Sequence, residues 1–418
     1  MAHLPDESKI NFKLTGKFRN ITFALMGLGL LLIAAQFLLP WHEEGGEHHG
    51  NVRLFYSMHL ALMLALPLTL GGIYFVAFNH LAGSFWNVTV RRIAENYVWY
   101  LPVVMILMIV VFSGLGNVYH HWVHPSNPQD PLLAIKAPWL STPFFIGRNL
   151  VWIIIWAVFG GLFLKHSLDQ DKDGSYSHTK TMTRMGAGFL VVFGLTWSAT
   201  TWDLTMSIDP HWFSTMWAVY GFAGLALTAY ASLILWVWFL KKSGYYGDSL
   251  NENHIHDLGK YMWGHTIFWA YIGFSQFMLI WYGHIPEETT FYHYRMYTFN
   301  EATGNPEYST WSYVSLLLVI VRFILPFFLI IKRESKRKLG YLASVSVLVI
   351  FGQILDMYWI SYPMLTEKHS FIMPSWYELG PILFVLGSFM FVVGWRLTKN
   401  SLIPKKDPRI EECLHWHQ

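Results

Sequence analysis

The chain has one cysteine, Cys413, in 418 residues. An intrachain disulfide is therefore excluded, and so are a thiolate-ligated iron–sulfur cluster and a C-x-x-C-H haem attachment. Haem b needs two histidines facing each other at one depth, and the buried candidates, His59 and His265, enter from opposite surfaces. Charge is scarce too: 13% of residues are Asp, Glu, Lys or Arg, against roughly 25% in an ordinary soluble domain. A strong internal repeat is also lacking, which argues against the duplicated architecture of many secondary transporters.

What is abundant is apolar surface, with 54% hydrophobic and 18% aromatic residues. Ten runs of about 20 apolar residues, each long enough to cross a hydrocarbon core of roughly 30 Å, lie at 20–40, 54–79, 97–117, 143–166, 183–205, 214–240, 257–283, 311–331, 339–362 and 376–397. The expectation is an all-α integral membrane protein of ten transmembrane helices, forming one polytopic domain over 1–418. The first run follows Lys13, Lys17 and Arg19 as a signal core would. It exceeds the roughly 7–15 apolar residues of a signal and reads as a retained anchor helix.

Lys and Arg set the orientation, because flanking positive charge stays cytoplasmic. One side has Lys9, Lys13, Lys17 and Arg19, then Arg91, Arg92, the 165–184 and 241–260 groups, the run "KRESKRK" and the tail. The other side has only Arg53, Lys136, Arg295 and Lys368. Both termini are expected in the cytoplasm. The basic loops are thus topological, and nucleic acid is not an expected partner.

The outer connections 118–142 and 284–310 are too short for cores of their own and read as partner-facing or interfacial loops. In "WHEEGGEHHG", His42, His48 and His49 suggest a metal, but a glycine- and glutamate-rich outer loop is ordinarily solvated. "LDQDKDGSYS" has the acidic start of an EF-hand in Asp169, Asp171 and Asp173, yet its twelfth position is Lys180 instead of a bidentate Glu. It reads as an exposed turn. Pro67, Pro102 and Pro326 can kink their helices, with neighbours satisfying the freed carbonyls.

An ionisable side chain inside a bilayer costs a few kcal/mol or more and is a functional candidate by default. Measured from the outer ends, Asp203 lies about 3 Å deep, His59 and Arg148 about 8 Å, Asp356 about 9 Å, Gln276 about 10 Å and Arg322 about 16 Å. Arg322 therefore needs a carboxylate or a wet cavity. Asp356 is the first candidate partner, direct or through water, with Asp203 and Glu378 behind it. From the inner side, Asp257, Tyr261, His265, Ile272, Ser275 and Gln276 share one face of a helix. His265 is about 12 Å in, and histidine exchanges protons near neutral pH. Polar groups thus reach inward from both surfaces, a pattern suited to two proton half-channels, to a quinone site beside a proton route, or to a secondary transporter.

The polar stretch "TWDLTMSIDPHWFSTMW", 201–217, falls in an outer hairpin between two spans. Asp209-Pro210 can start the turn, Asp209 can cap a helix beginning near Ser214, and Trp202, Trp212 and Trp217 suit the headgroup level.

Two stretches, "WDLTMSIDPHWFSTMW" at 202–217 and "HDLGKYMWGHTIFWAYIGFSQFMLIWYGHIPEET" at 256–289, resemble the NrfD-like (polysulfide-reductase-type) membrane-subunit family, in particular the second such subunit of bacterial alternative complex III. The resemblance covers the central third closely and agrees with a ten-span plan. It implies two four-helix bundles plus two flanking helices in the bacterial cytoplasmic membrane. It implies a subunit without redox centres of its own in a respiratory quinol:electron-acceptor oxidoreductase. The partners would be a second NrfD-like subunit, an iron–sulfur protein, multihaem c-type cytochrome subunits and an associated terminal oxidase. Iron–sulfur clusters and haem c would reside in those partners, and this chain would meet lipid or quinone. The family's quinol site beside the iron–sulfur protein is assigned to the other membrane subunit, so scaffolding and proton conduction are what remain for this one. His59, Asp203, Asp257, His265, Gln276, Arg322 and Asp356 are the proton-path candidates. His59 and Asp203 are also the candidates for accepting quinol protons, should this subunit bind quinone.

Overall fold

A computed structural model describes residues 6–41, 51–299, 306–366 and 369–416. It is all-α apart from one small hairpin in which Tyr297 pairs with Tyr308. Among the described residues eight helices are long and apolar enough to cross a membrane: α1 (Gly16–Leu38), α2 (Val52–Leu81), α3 (Val88–Ser113), α4 (Thr142–Asp173), α6 (Trp217–Lys242), α8 (Thr310–Leu329), α9 (Leu339–Met364) and α10 (Trp376–Leu397). Two more long helices, α5 (Tyr176–Leu204) and α7 (Glu252–Gly283), pack with them but are richer in Thr, Ser, His and charged residues. The protein is an all-α, multi-pass membrane protein.

Helices α2 to α5 pack as one four-helix group and α6 to α9 as a second, joined where α2 meets α6. Helices α1 and α10 pair tightly with each other, and α10 leans on α2 and α3. The α2–α6 seam depends on small residues: a Cβ on Gly71 would lie 2.4 Å from that of Ala229. Within a bilayer such close backbone approach drives helix association by van der Waals contact, because lipid is as apolar as leucine.

Helix ends follow local chemistry. Ser375 and Glu378 form a capping box at the start of α10, reciprocally satisfying two backbone donors. Glu378 also takes a bidentate bond from Arg53, at 2.9 and 3.0 Å, and is thereby committed away from Arg322. Helix α4 runs through Asp169, Asp171 and Asp173 to stop at Gly174, whose φ of +69° gives a left-handed cap. The EF-hand-like stretch is therefore helical, and Asp171 pairs with Arg92 at 2.8 Å. His42, His48 and His49 lie outside the described residues.

Arg91 and Arg92, counted above as flanking charges, are fully buried. Both pair with Glu95, at 2.9 and 3.0 Å. Arg91 reaches Asp407 at 2.7 Å, so the segment after α10 is strapped across the end of the helix bundle that bears Arg91. Lys405 N bonds Asp171, and Trp416 Nε1 donates to Asp257. Burial pushes the Asp407 carboxyl up, but the Arg91 and Arg409 guanidinium groups outweigh it and hold it well below the usual range. The stabilisation is therefore complete above the unfolded value of about 3.9 and is lost as pH falls through the lower folded value. Asp407→Asn should cost about 3 kcal/mol at neutral pH by leaving Arg91 short of a counter-charge, measurable as earlier thermal unfolding and faster proteolysis of the tail.

Candidate functional site

The second four-helix group is built around Arg322, which has no exposed surface. A π turn at Ile320–Ile324 interrupts α8 there; such single wide turns are frequent at functional sites. Arg322 Nη1 donates to Gly352 O at 3.0 Å and lies 3.1 Å from Asp356 Oδ2, so the expected pair is a direct contact. Nη2 donates to Gln353 Oε1, which also accepts from Thr228 at 3.1 Å. The guanidinium sits 5.0 Å from the centre of the Trp269 ring, a further attraction for a desolvated cation. Room for the head comes from Gly224, where a Cβ would be 2.9 Å from Nη2.

Asp356, also fully buried, accepts from Tyr220 Oη at 2.6 Å and from Trp269 Nε1 at 3.3 Å. Two cavities open along α7. The one beside the first half of α7, termed inner because that side is expected to be cytoplasmic, has a volume of about 550 Å³ and is lined by Trp86, Asp257, Lys260, Tyr261, His265 and Trp416 among others. Asp257 pairs there with Lys260 at 2.7 Å. His265 Nδ1 donates to Tyr261 O at 2.7 Å, which leaves Nε2 as the acceptor nitrogen, and the ring packs on Tyr230 at 4.9 Å. Tyr230 Oη is buried without a partner. His265 lies one helical turn, about 5.4 Å, from Trp269, which touches Asp356. The outer cavity, of about 690 Å³, is walled by Tyr220, Trp269 and Gln276 among others. The outer cavity reaches Tyr220 and Trp269, the two donors to Asp356, whereas the inner one is lined by neither the ion pair nor those donors.

Of the helix-face residues, Tyr261 and His265 face the inner cavity and Gln276 the outer one. Ser275 lines neither.

Asp203 and His59 belong to a different place. Asp203 is fully buried and accepts four bonds: two from Arg148 at 2.7 Å, one from Asn149 at 2.8 Å and one from Trp139 at 2.9 Å. These four donors occupy both oxygens of the carboxylate. His59 is buried beside it, its Nε2 donating to Leu204 O at 2.7 Å, with Nδ1 unpartnered. The hairpin tryptophans also differ from expectation. Trp212 and Trp217 are each 2% exposed and hydrogen-bonded inside, to Glu288 O and Thr205 Oγ1, so they are packing residues rather than headgroup anchors. Helix α6 begins at Trp217, and Asp209 bonds His211 N within its own turn instead of capping it.

Sequence reasoning missed Arg295. The charge pattern puts it in an outer loop, yet it is 1% exposed and donates to three backbone carbonyls, of Phe291, Trp359 and Ile360. Its short helix, Pro286–Met296, was the available signal, since an arginine on an aromatic-rich amphipathic turn can fold inward.

Fold and site together define an all-α multi-pass membrane protein with a buried ion pair whose carboxylate is hydrogen-bonded by two residues of a cavity wall. No protein-family model matches the sequence, and no curated protein matches it.

The saturated pair yields a test. Asp203→Asn or Arg148→Met alone should each cost about 3–5 kcal/mol, and the double change Arg148→Met with Asp203→Leu should cost less than either. Thermal unfolding of the four proteins in one detergent measures this.

Proposed function

We propose that the chain is a non-redox integral membrane subunit of a respiratory quinol:electron-acceptor oxidoreductase of the alternative complex III type, serving as scaffold and proton conductor. In this reading it crosses the bacterial cytoplasmic membrane ten times, α5 and α7 included, with both termini in the cytoplasm. It sits beside a second NrfD-like subunit, an iron–sulfur protein and multihaem cytochrome subunits.

The observation that carries the proton role is the buried Arg322–Asp356–Tyr220 cluster, with Tyr220 in the wall of an outer cavity bearing Gln276, and with His265, in an inner cavity that also bears Asp257 and Lys260, four residues before Trp269 on α7. A dry structural ion pair needs neither cavity. Conduction needs titratable or hydrogen-bonding groups at short steps on both sides, with carboxylate and imidazole as carriers. Asp257 and His265 serve the inner side, and Asp356 is the central carrier. Arg322 is the fixed charge that keeps a proton from resting there. Asp203, saturated by its four donors, is assigned to structure, and His59 with it. The exposed apolar faces of α1, α4 and α5, with Leu31, Ile154 and Val191 outward, suit lipid or a neighbouring membrane subunit.

In the native assembly reconstituted in vesicles, Asp356→Asn and His265→Gln should each lower proton release per electron while quinol oxidation continues near the wild-type rate. Unchanged stoichiometry in both variants would refute the proton role. Purification of the native protein without iron–sulfur and multihaem partners would refute the subunit reading in favour of a proton-coupled transporter.

A further inference from the structure

Beside the turn between α4 and α5 stand two histidines that neither the ion pair nor the cavities use. His166 on α4 and His178 on α5 bring their Nδ1 atoms to 3.0 Å, with the ring planes inclined by 51°. On the far side of the second ring, His178 Nε2 lies 3.1 Å from Asp173 Oδ2. An ionised carboxylate only accepts, so Nε2 holds a proton, and in the neutral ring Nδ1 is then a bare lone pair. Asp173 is itself held in place, because Ser175 N donates to its other oxygen at 2.8 Å. With 17% of the His178 side chain and 53% of that of Asp173 exposed, the pair is reachable from water.

The acidic stretch 169–173 thus divides its work. Asp171 is committed to Arg92, while Asp173 backs His178, and Asp169, one turn after His166 on α4, is near enough for its charge to act on both rings. Asp169 also pairs with Lys172 at 2.7 Å, and the two aspartates together offset Lys165 and Lys172. A histidine whose second nitrogen is held by a carboxylate, fixing its tautomer and direction, is the usual form of a histidine metal ligand. The spacing agrees. Two zinc–nitrogen bonds of about 2.0–2.1 Å at a tetrahedral angle set the nitrogens about 3.3 Å apart, a few tenths of an ångström beyond the gap between the rings. The proton that now bridges them needs only to move to His166 Nε2. Among the described residues no three His, Cys, Asp or Glu side chains converge on one point, so water would complete the shell. Imidazole suits zinc, copper and nickel, whereas calcium and magnesium take oxygen ligands.

We propose that His166 and His178 form a two-imidazole site for a divalent transition-metal ion of the zinc class, with Asp173 behind His178, and that the ion clips α4 to α5 beside their turn. The site does not depend on the proton-conducting reading, since neither histidine lines either cavity.

The test uses the full chain in detergent, stripped with chelator and titrated with zinc alone. Zinc should raise the unfolding temperature of the wild type by mass action on the folded state, and His166→Gln and His178→Gln should each lose that shift. Asp173→Asn should need roughly tenfold to a hundredfold more zinc for the same shift. In the unmodified chain, zinc should protect His166 and His178 from diethyl pyrocarbonate, read residue by residue by peptide mass spectrometry, and this readout stands whether or not a variant folds. No protection of the pair, protection confined to other histidines, or an equal zinc-dependent shift in the two histidine variants would overturn the proposal.

Discussion

The desolvated guanidinium of Arg322 is the constraint on which the second helix group depends. Removing such a charge from water costs several kcal/mol even after relaxation, and the surroundings are arranged to offset it. Asp356 supplies the opposite charge, Gly352 and Gln353 supply acceptors, and the Trp269 ring supplies a π face. Each compensation imposes a further requirement. The head needs space that only glycine leaves at position 224. Asp356 needs Tyr220 and Trp269 as donors, which brings α6 and α7 against α9 and puts both donors in the wall of the outer cavity.

Two ion pairs of the same composition thus behave differently. Asp203 receives four hydrogen bonds and is enclosed by aromatic rings, with the Arg148 guanidinium 4.1 Å from the Trp139 ring centre. Asp356 receives bonds from one phenol, one indole and one guanidinium nitrogen, while Arg322 keeps Nε unpartnered and Tyr230 and Gln276 keep unused groups nearby. Spare hydrogen-bonding capacity next to open volume is what separates a place where protons or ligands can act from a place that only holds helices together.

Much of this was legible in the sequence. Runs of apolar residues located the long helices with ends off by up to nine positions, as at the start of α3, and depth along them picked out Arg322 and Asp356 as partners, because at mid-bundle depth few groups can answer a charge. What depth cannot give is rotation about the helix axis. Arg148 and Asp203 lie at depths of about 8 and 3 Å on separate helices, and a long arginine side chain closes that gap. Arg53, Arg91, Arg92 and Arg295 read as loop or flank charges because positive residues at helix ends ordinarily are; their burial follows from carboxylates and carbonyls distant in sequence, such as Asp407 for Arg91. The hairpin tryptophans went inward because Thr205 and a backbone carbonyl were there to receive the indole N–H groups.

Helix α2 carries a consequence for how this molecule is made. By composition it is among the segments best suited to lipid, and yet its apolar window is wholly enclosed by the other helices. A translocating machinery that sorts segments by hydrophobicity must release it sideways into fatty acyl chains, and every one of those contacts is later exchanged for protein. The exchange gains little from apolarity, since both environments are oily. It relies on shape: alanines and glycines such as Ala61, Ala65 and Gly71 make a grooved rod that later helices can grip. A bulky residue at Gly71 would leave the inserted chain just as greasy and deny it the rest of its fold.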